Sequence, residues 1–296
     1  MTETTLAVGF RSRLMGLLRA FRTWTLSRIV VALSLIAIAS ALSQALIVFV
    51  LPGAGLMAVL FSVACIHLAY AFYVRGMEQR RLTELELDQA PRGLAIGFAA
   101  GTMLMLGTMS ILAAAGTYRI GTYQGFEGFA GAVSVSVFSA YAEELVFRGV
   151  LFRLVEAVVG SWWSLGVSAV LFGVMHLANP GAGIWSTAAI SVEAGILLGA
   201  AYVLTRTLWI PIGVHLGWNL VQGGVLGLNV SGKDAAGLFD PNVEGPAWLT
   251  GGHFGPEASI AAVILCLSAA VAMLVLASRR HLIMRPRWRR GRSQYS

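Results

Sequence analysis

From Ile29 to Val74 the chain carries no Asp, Glu, Lys or Arg. A helix needs about 20 mostly apolar residues to cross the hydrocarbon of a bilayer, and the turn-forming LPGAG at 51–55 divides this run into two such stretches. The pattern recurs along the chain, giving about eight candidate crossings at 29–51, 55–74, 93–115, 128–154, 162–178, 184–204, 208–228 and 258–278. Composition agrees: 57% of the residues are hydrophobic and only 12% are charged, where a soluble domain carries about 25%. The expected fold class is all-α, a polytopic membrane helical bundle of about eight transmembrane helices around a central polar cavity. A single integral membrane domain at 29–278 is expected, preceded by a basic segment at 1–28 and followed by a basic tail at 279–296.

Arginine placement orients the bundle, because cytoplasmic loops retain Lys and Arg. With the N-terminus inside, Arg11, Arg13, Arg19, Arg22 and Arg28 are cytoplasmic, as are Arg75, Arg80, Arg81, Arg92, Arg153, Arg206 and the arginines of the tail. Arg119 and Lys233 fall outside. Both termini are therefore expected in the cytoplasm of a multi-pass cell-membrane protein, a pattern that fits a bacterial inner membrane. The net charge of +7 concentrates at the chain ends, which suits anionic lipid headgroups rather than nucleic acid. The charged stretch 76–91 is expected as a short interfacial helix, and 229–255 as an outer loop that could cap the bundle, with His253 an ordinary loop histidine. Trp288 is expected at the interface. Cys65 and Cys266 lie in apolar segments and are expected as free thiols.

Charged side chains deep in a bilayer cost about 2.5–3.5 kcal/mol on insertion scales, face the bundle interior and mark function. Here they are Glu143, Glu144, Arg148 and Glu193, joined by His67, His176, His215 and Asn219. Glu144 and Arg148 stand four apart in the favourable order and can neutralise each other. Glu143, about 100° further round the helix, is left without that cation, as a general base near neutral pH requires. The turn near 159–160 is equally far from Glu143 and His176, which places the two at similar depth on antiparallel helices. His215 and Asn219 share one face of a third helix. Together these groups could hold a water, stabilise an oxyanion or bind a metal. His67 reads as a helix–helix hydrogen-bond partner, and Glu193 as a residue that either bonds within the bundle or lines the cavity.

AEELVFRGVL, with Glu143, Glu144 and Arg148, resembles the EExxxR motif of the CPBP intramembrane protease family, the CAAX prenyl protease and Abi family. LFGVMHL resembles its F-x-x-x-H motif through Phe172 and His176, and IPIGVHLGWN its H-x-x-x-N/D motif through His215 and Asn219. The motifs occur in order over about 130–225. The resemblance implies an intramembrane endopeptidase acting on a membrane-associated protein or peptide. In it Glu143 and His176 activate a water, His215 and Asn219 stabilise the oxyanion, and Glu144 and Arg148 hold the helix and orient Glu143. Members are described as metalloproteases; Glu143, His176 and His215 could hold a divalent metal such as Zn2+ with an open position, and the same groups could run a metal-free hydrolysis. No H-E-x-x-H is present, and Gly166-Val167-Ser168-Ala169 only faintly resembles a rhomboid serine loop. The alternative is a non-catalytic immunity or scaffold protein, or a transporter, using the same intramembrane charges.

Overall fold

The computed structural model describes residues 22–50 and 55–289; Arg11, Arg13, Arg19, Arg290 and Arg292 lie outside them. The fold is the expected all-α polytopic bundle. Helix α1 covers Thr25–Val50, α2 Gly55–Tyr73 and α3 Ala90–Ala114. Helix α4 (Glu127–Glu144) continues through a π-helical stretch, Leu145–Phe152, into α5 (Arg153–Val159). Helix α6 is Ser161–His176. Helix α7 (Ile184–Ile190) runs through a second π-helical stretch, Ser191–Ile196, into α8 (Leu197–Thr205). Helix α9 (Trp209–Asn219) ends in a third, Leu220–Val225, and α10 (Ala247–Thr250) and α11 (Ile260–Arg279) complete the chain.

Six of these helical runs are long and apolar enough to cross a membrane. The expected crossings at 162–178 and 208–228 are helices too, but shorter ones. At a rise of about 1.5 Å per residue, the 16 residues of α6 reach about 24 Å, less than the roughly 30 Å of a hydrocarbon core. Its last residue, His176, therefore ends inside the bundle. Large apolar side chains point outward, among them Phe49 at 84% exposure, Phe72 at 70% and Met103 at 72%. Such a girdle suits lipid, not water.

Glycine sets the depth of α9. On α3, Gly93, Gly97 and Gly101 face α9 at a four-residue spacing, the small-residue pattern that lets membrane helices touch backbone to backbone. A Cβ at Gly97 would stand 2.3 Å from the Ile210 carbonyl oxygen, and one at Gly101 2.0 Å from that of Val214. Gly213 and Gly217 of α9 meet Leu94 and Phe98 of α3 in the same way.

At the arginine-rich end, 76–91 does not form the expected interfacial helix. A π turn at Val74–Glu78 stops at Gln79, whose φ is +56°, and only a 3-10 turn, Leu87–Gln89, precedes α3. Glu78, Arg80 and Glu84 turn inward instead of lying along one helix face, while Arg81 and Asp88 are exposed. Arg153 binds Glu78 at 2.6 Å and Arg80 binds Glu84 at 2.6 Å. The Tyr70 hydroxyl donates to Glu84 at 2.6 Å. Beside this network the C-terminal tail folds over the turn between α5 and α6: Ser161 N–H donates to the Met284 carbonyl and Met284 N–H to the Ser161 hydroxyl. Trp288 is exposed.

At the opposite end β1 (Tyr118–Arg119) pairs antiparallel with β2 (Asn242–Val243), and the loop after α9 folds back over the bundle. Gly232 N–H donates to the Phe254 carbonyl, Asn179 Nδ2 donates to the Ser231 carbonyl, and Phe254 is buried.

Candidate active site

A cavity of about 370 Å³ enters the bundle from the end that carries Glu127 and the loop residues Lys233 and Asp234. Glu143 lies 16 residues along the helix from Glu127, so the cavity floor is about 24 Å inside at helical rise. Glu143, His176 and His215 line that floor together with Asn219, Glu193 and Glu257.

Three helix segments deliver the expected groups to one place. Glu143 Oε2 stands 3.8 Å from His176 Nε2 and has no hydrogen-bond partner. His176 Nδ1 is 2.8 Å from the Phe172 carbonyl. A carbonyl can only accept, so Nδ1 carries the hydrogen and, in the neutral imidazole, Nε2 turns a lone pair towards Glu143. Two acceptors thus face each other across a gap too wide for a direct bond and narrow enough for one bridging donor.

Glu144 points the other way and is wholly buried. Its Oε1 accepts from Arg148 Nη1 at 2.7 Å and lies 3.1 Å from His215 Nδ1. Arg148, also wholly buried, spends Nη2 on the carbonyls of Ala194 and Gly195. It therefore clamps the π-helical stretch that carries Glu193 to the helix that carries Glu143. Such stretches recur at functional sites because the extra residue per turn re-aims the side chains that follow; here they sit directly after Glu144, around Glu193 and directly after Asn219.

Phe172 joins the parts. Its ring centroid lies 4.7 Å from that of His176 and 6.3 Å from that of His215, and the Arg148 guanidinium carbon stands 4.9 Å from it. The sequence marks this position only as a motif letter; its role as the shared wall of both imidazoles comes from packing. Asn219 Nδ2 lies 3.4 Å from the Ser139 hydroxyl, one turn of α4 above Glu143. His67 pairs with Tyr141 at 2.7 Å, as a helix–helix hydrogen bond between α2 and α4. Ser168 is buried with its hydroxyl towards the Phe147 carbonyl. Cys65 and Cys266 are free thiols.

The cavity residue Glu257 and the buried Gln222 that holds it escape sequence reasoning. Gln222, wholly buried, accepts from Trp218 Nε1 at 2.7 Å and donates to Glu257 Oε2. The Trp218 donor fixes which end of the amide faces it, so Glu257 Oε2 is held as an acceptor. Glu257 Oε1 is buried without a hydrogen-bond partner. Burial pushes the Glu257 carboxyl up to about 7, against weaker help from Ser231 and Gln222. No local signal marks Glu257, which sits in a Gly-Pro-Glu-Ala turn just before α11.

Among the described residues no three His, Cys, Asp or Glu side chains are grouped to hold a metal ion. Glu143, His176 and His215 do not form such a set as arranged, and His215 Nδ1 is engaged with Glu144.

Residues 125–221 match the family model described as type II CAAX prenyl endopeptidase Rce1-like. The match covers under half of the chain and contains Glu143, Glu144, Arg148, Phe172, His176, Glu193, His215 and Asn219. It bears out, for that segment, the resemblance carried by the three motifs. No curated protein and no solved structure matches the chain.

Proposed function

We propose that this chain is an intramembrane endopeptidase that hydrolyses a peptide bond of a membrane-associated protein or peptide, with water activated between Glu143 and His176. The observation that carries this reading is the 3.8 Å separation of an unpartnered Glu143 Oε2 and His176 Nε2 on a cavity floor. A water 2.8 Å from both atoms would subtend about 85° between them, close to its own bond angle. Glu143 takes one proton, the water oxygen bonds to the scissile carbonyl carbon, and the carbonyl oxygen gains the negative charge. Collapse breaks the C–N bond, and the proton held at Glu143 passes to the leaving amine.

The developing oxyanion needs donors in a site that excludes bulk water. Asn219 has a second Nδ2 hydrogen beyond the one directed at Ser139. His215 can donate from Nε2 only as an imidazolium, whose charge Glu144 would balance. Glu144 and Arg148 act on this reading as positioning residues. No step is routed through a metal; where one is bound, it would supply Lewis-acid polarisation of the water. The arginine-rich end is taken as cytoplasmic; on this reading both termini lie in the cytoplasm, the membrane is a bacterial inner membrane, and the cavity mouth faces the opposite side.

The test compares membrane peptidomes of cells carrying wild type and Glu143→Ala, followed by purified protein on the peptides found. The expected result is a set of cleavages that vanish in Glu143→Ala and in His176→Ala while both variants remain folded. Turnover retained by either purified variant overturns the assignment. A scaffold or transport role predicts that Glu143→Gln complements a deletion with no change in the peptidome. Loss of activity on chelation with recovery on added Zn2+ would place the water on a metal.

A further inference from the structure

The cavity has the wrong sign for the protein that contains it. The chain as a whole is at +7, yet the cavity is lined by Glu127, Glu143, Glu193, Asp234 and Glu257, with Lys233 at its mouth and two imidazoles on its floor. Two of these carboxyls, Glu193 and Glu257, have no place in the hydrolytic reading, and both are over nine-tenths buried. Both line the same cavity. Among the described residues Glu193 has only the Cys266 thiol as a hydrogen-bonding neighbour, at 3.8 Å. Glu257 is held at one oxygen by Gln222, with Ser231 close by, while the other, Oε1, is buried and makes no hydrogen bond among the described residues. Arg148 directs its hydrogen bonds to Glu144 and to the carbonyls of Ala194 and Gly195.

Desolvated carboxyls are stable only when protonated or when a cation joins them. Glu257 Oε1 is an open acceptor on the cavity that also holds the bond-breaking groups. Resting on the peptidase reading above, we propose that Glu193 and Glu257 form a subsite for the cationic side chain, lysine or arginine, of a substrate residue close to the scissile bond. The ammonium or guanidinium supplies the donors that Glu257 Oε1 and Glu193 lack. The apolar stem of the same side chain suits the Val214, Leu197 and Ile190 wall beside them. The same carboxyls repel an acidic side chain or a free carboxylate at that position. Gln222 is the positioning residue, since it alone anchors Glu257 through a side-chain amide.

The experiment uses the full chain in detergent and quenched-fluorescent peptides built on one cleaved sequence, varied at each position flanking the bond among Lys, Met and Glu. Wild type is expected to cleave the Lys peptide about tenfold or more faster than the Met peptide in kcat/KM, with the Glu peptide slowest. In Glu257→Gln and in Glu193→Gln the Lys-to-Met ratio is expected to fall towards one; the ratio is read within each variant, so a general loss cancels. Binding tests the same claim without turnover. In Glu143→Ala, acetyl-Leu-Lys-Leu-amide is expected to raise the Tm more than acetyl-Leu-Met-Leu-amide, and the difference is expected to vanish when Glu257→Gln is added. Glu143-dependent cleavage without a basic preference, a preference kept in both Gln variants, or equal Tm shifts for the two tripeptides overturns the subsite and leaves the peptidase reading standing. Absence of any Glu143-dependent cleavage overturns the peptidase reading, and the Tm comparison then still decides whether the pair binds a cation.

Discussion

Two groups of buried carboxyls stand at different levels of one bundle. At the arginine-rich end, Glu78 and Glu84 are each matched to guanidinium groups of Arg80 and Arg153. On the cavity floor, among the described residues, Glu143, Glu193 and Glu257 pair with no guanidinium, and Glu143 and Glu257 each keep an oxygen without a hydrogen bond. Both groups bear the desolvation cost of buried charge. The first offsets it with cations and fastens helices α2, α3 and α5 together. The second leaves it unbalanced at the place where a substrate would arrive. Glu144 belongs with the first group by its chemistry and with the second by its position: its match to Arg148 is complete at one oxygen, one residue from a neighbour that has none.

The widest separation between the groups should appear in activity. Glu143→Ala is expected to lower cleavage by about 10³-fold or more, with a Tm close to wild type, in a peptide-cleavage assay run beside a thermal melt. Arg148→Met should do the reverse in kind. It leaves Glu144 buried without its cation, which typically costs about 3–5 kcal/mol, read as a lower midpoint in detergent unfolding. The double change Glu144→Met/Arg148→Met should recover part of that loss, and a double variant no more stable than the single would show that the pair does not act as a unit.

Acid and base should divide the two ends. Burial alone would raise the Glu84 carboxyl, but the hydrogen bonds from Arg80, the charge of Arg153 and the Tyr70 hydroxyl outweigh it and hold the group below the usual range. Its contribution is present above the unfolded value near 4.5 and is lost as pH falls through the lower folded value. Glu257 has the opposite sign. With its carboxyl raised to about 7, its contribution is full below the unfolded value and is lost as pH rises through 7. Thermal melts of Glu84→Gln should therefore differ from wild type least in acid. Those of Glu257→Gln should gain on wild type between about pH 5 and 8; parallel pH profiles for the two variants would erase the distinction. The smallest effect is expected at His67→Phe, which removes one hydrogen bond to Tyr141: about 1 kcal/mol of stability and no change in the order of substrates cleaved.

The distribution of legible and hidden features follows from range. Glu144 and Arg148 are four residues apart, and His215 and Asn219 likewise, so helical spacing alone puts each pair on one face. The proximity of Glu143 and His176 was readable from a hairpin with equal arms. Glu257 was not readable, because only the folding of a distant turn over the bundle brings it to the floor. The stretch 76–91 misled for a related reason. Its charges looked like the wet face of a surface helix, whereas Arg153, far along the chain, draws Glu78 inward. The glycines of α3 lower its apolar content, although close helix contact in a bilayer favours them.

That glycine contact reaches beyond α3 itself. Helix α9, which bears His215 and Asn219, rests directly on the main chain of α3, with no side chains between them to absorb a shift. Helix α3 ends at Ala114, upstream of the segment that matches the family. Grafting 125–221 alone into a foreign bundle would carry every motif residue and leave behind the rail that sets their height. In this protein the machinery is borrowed by sequence but aligned by its neighbour.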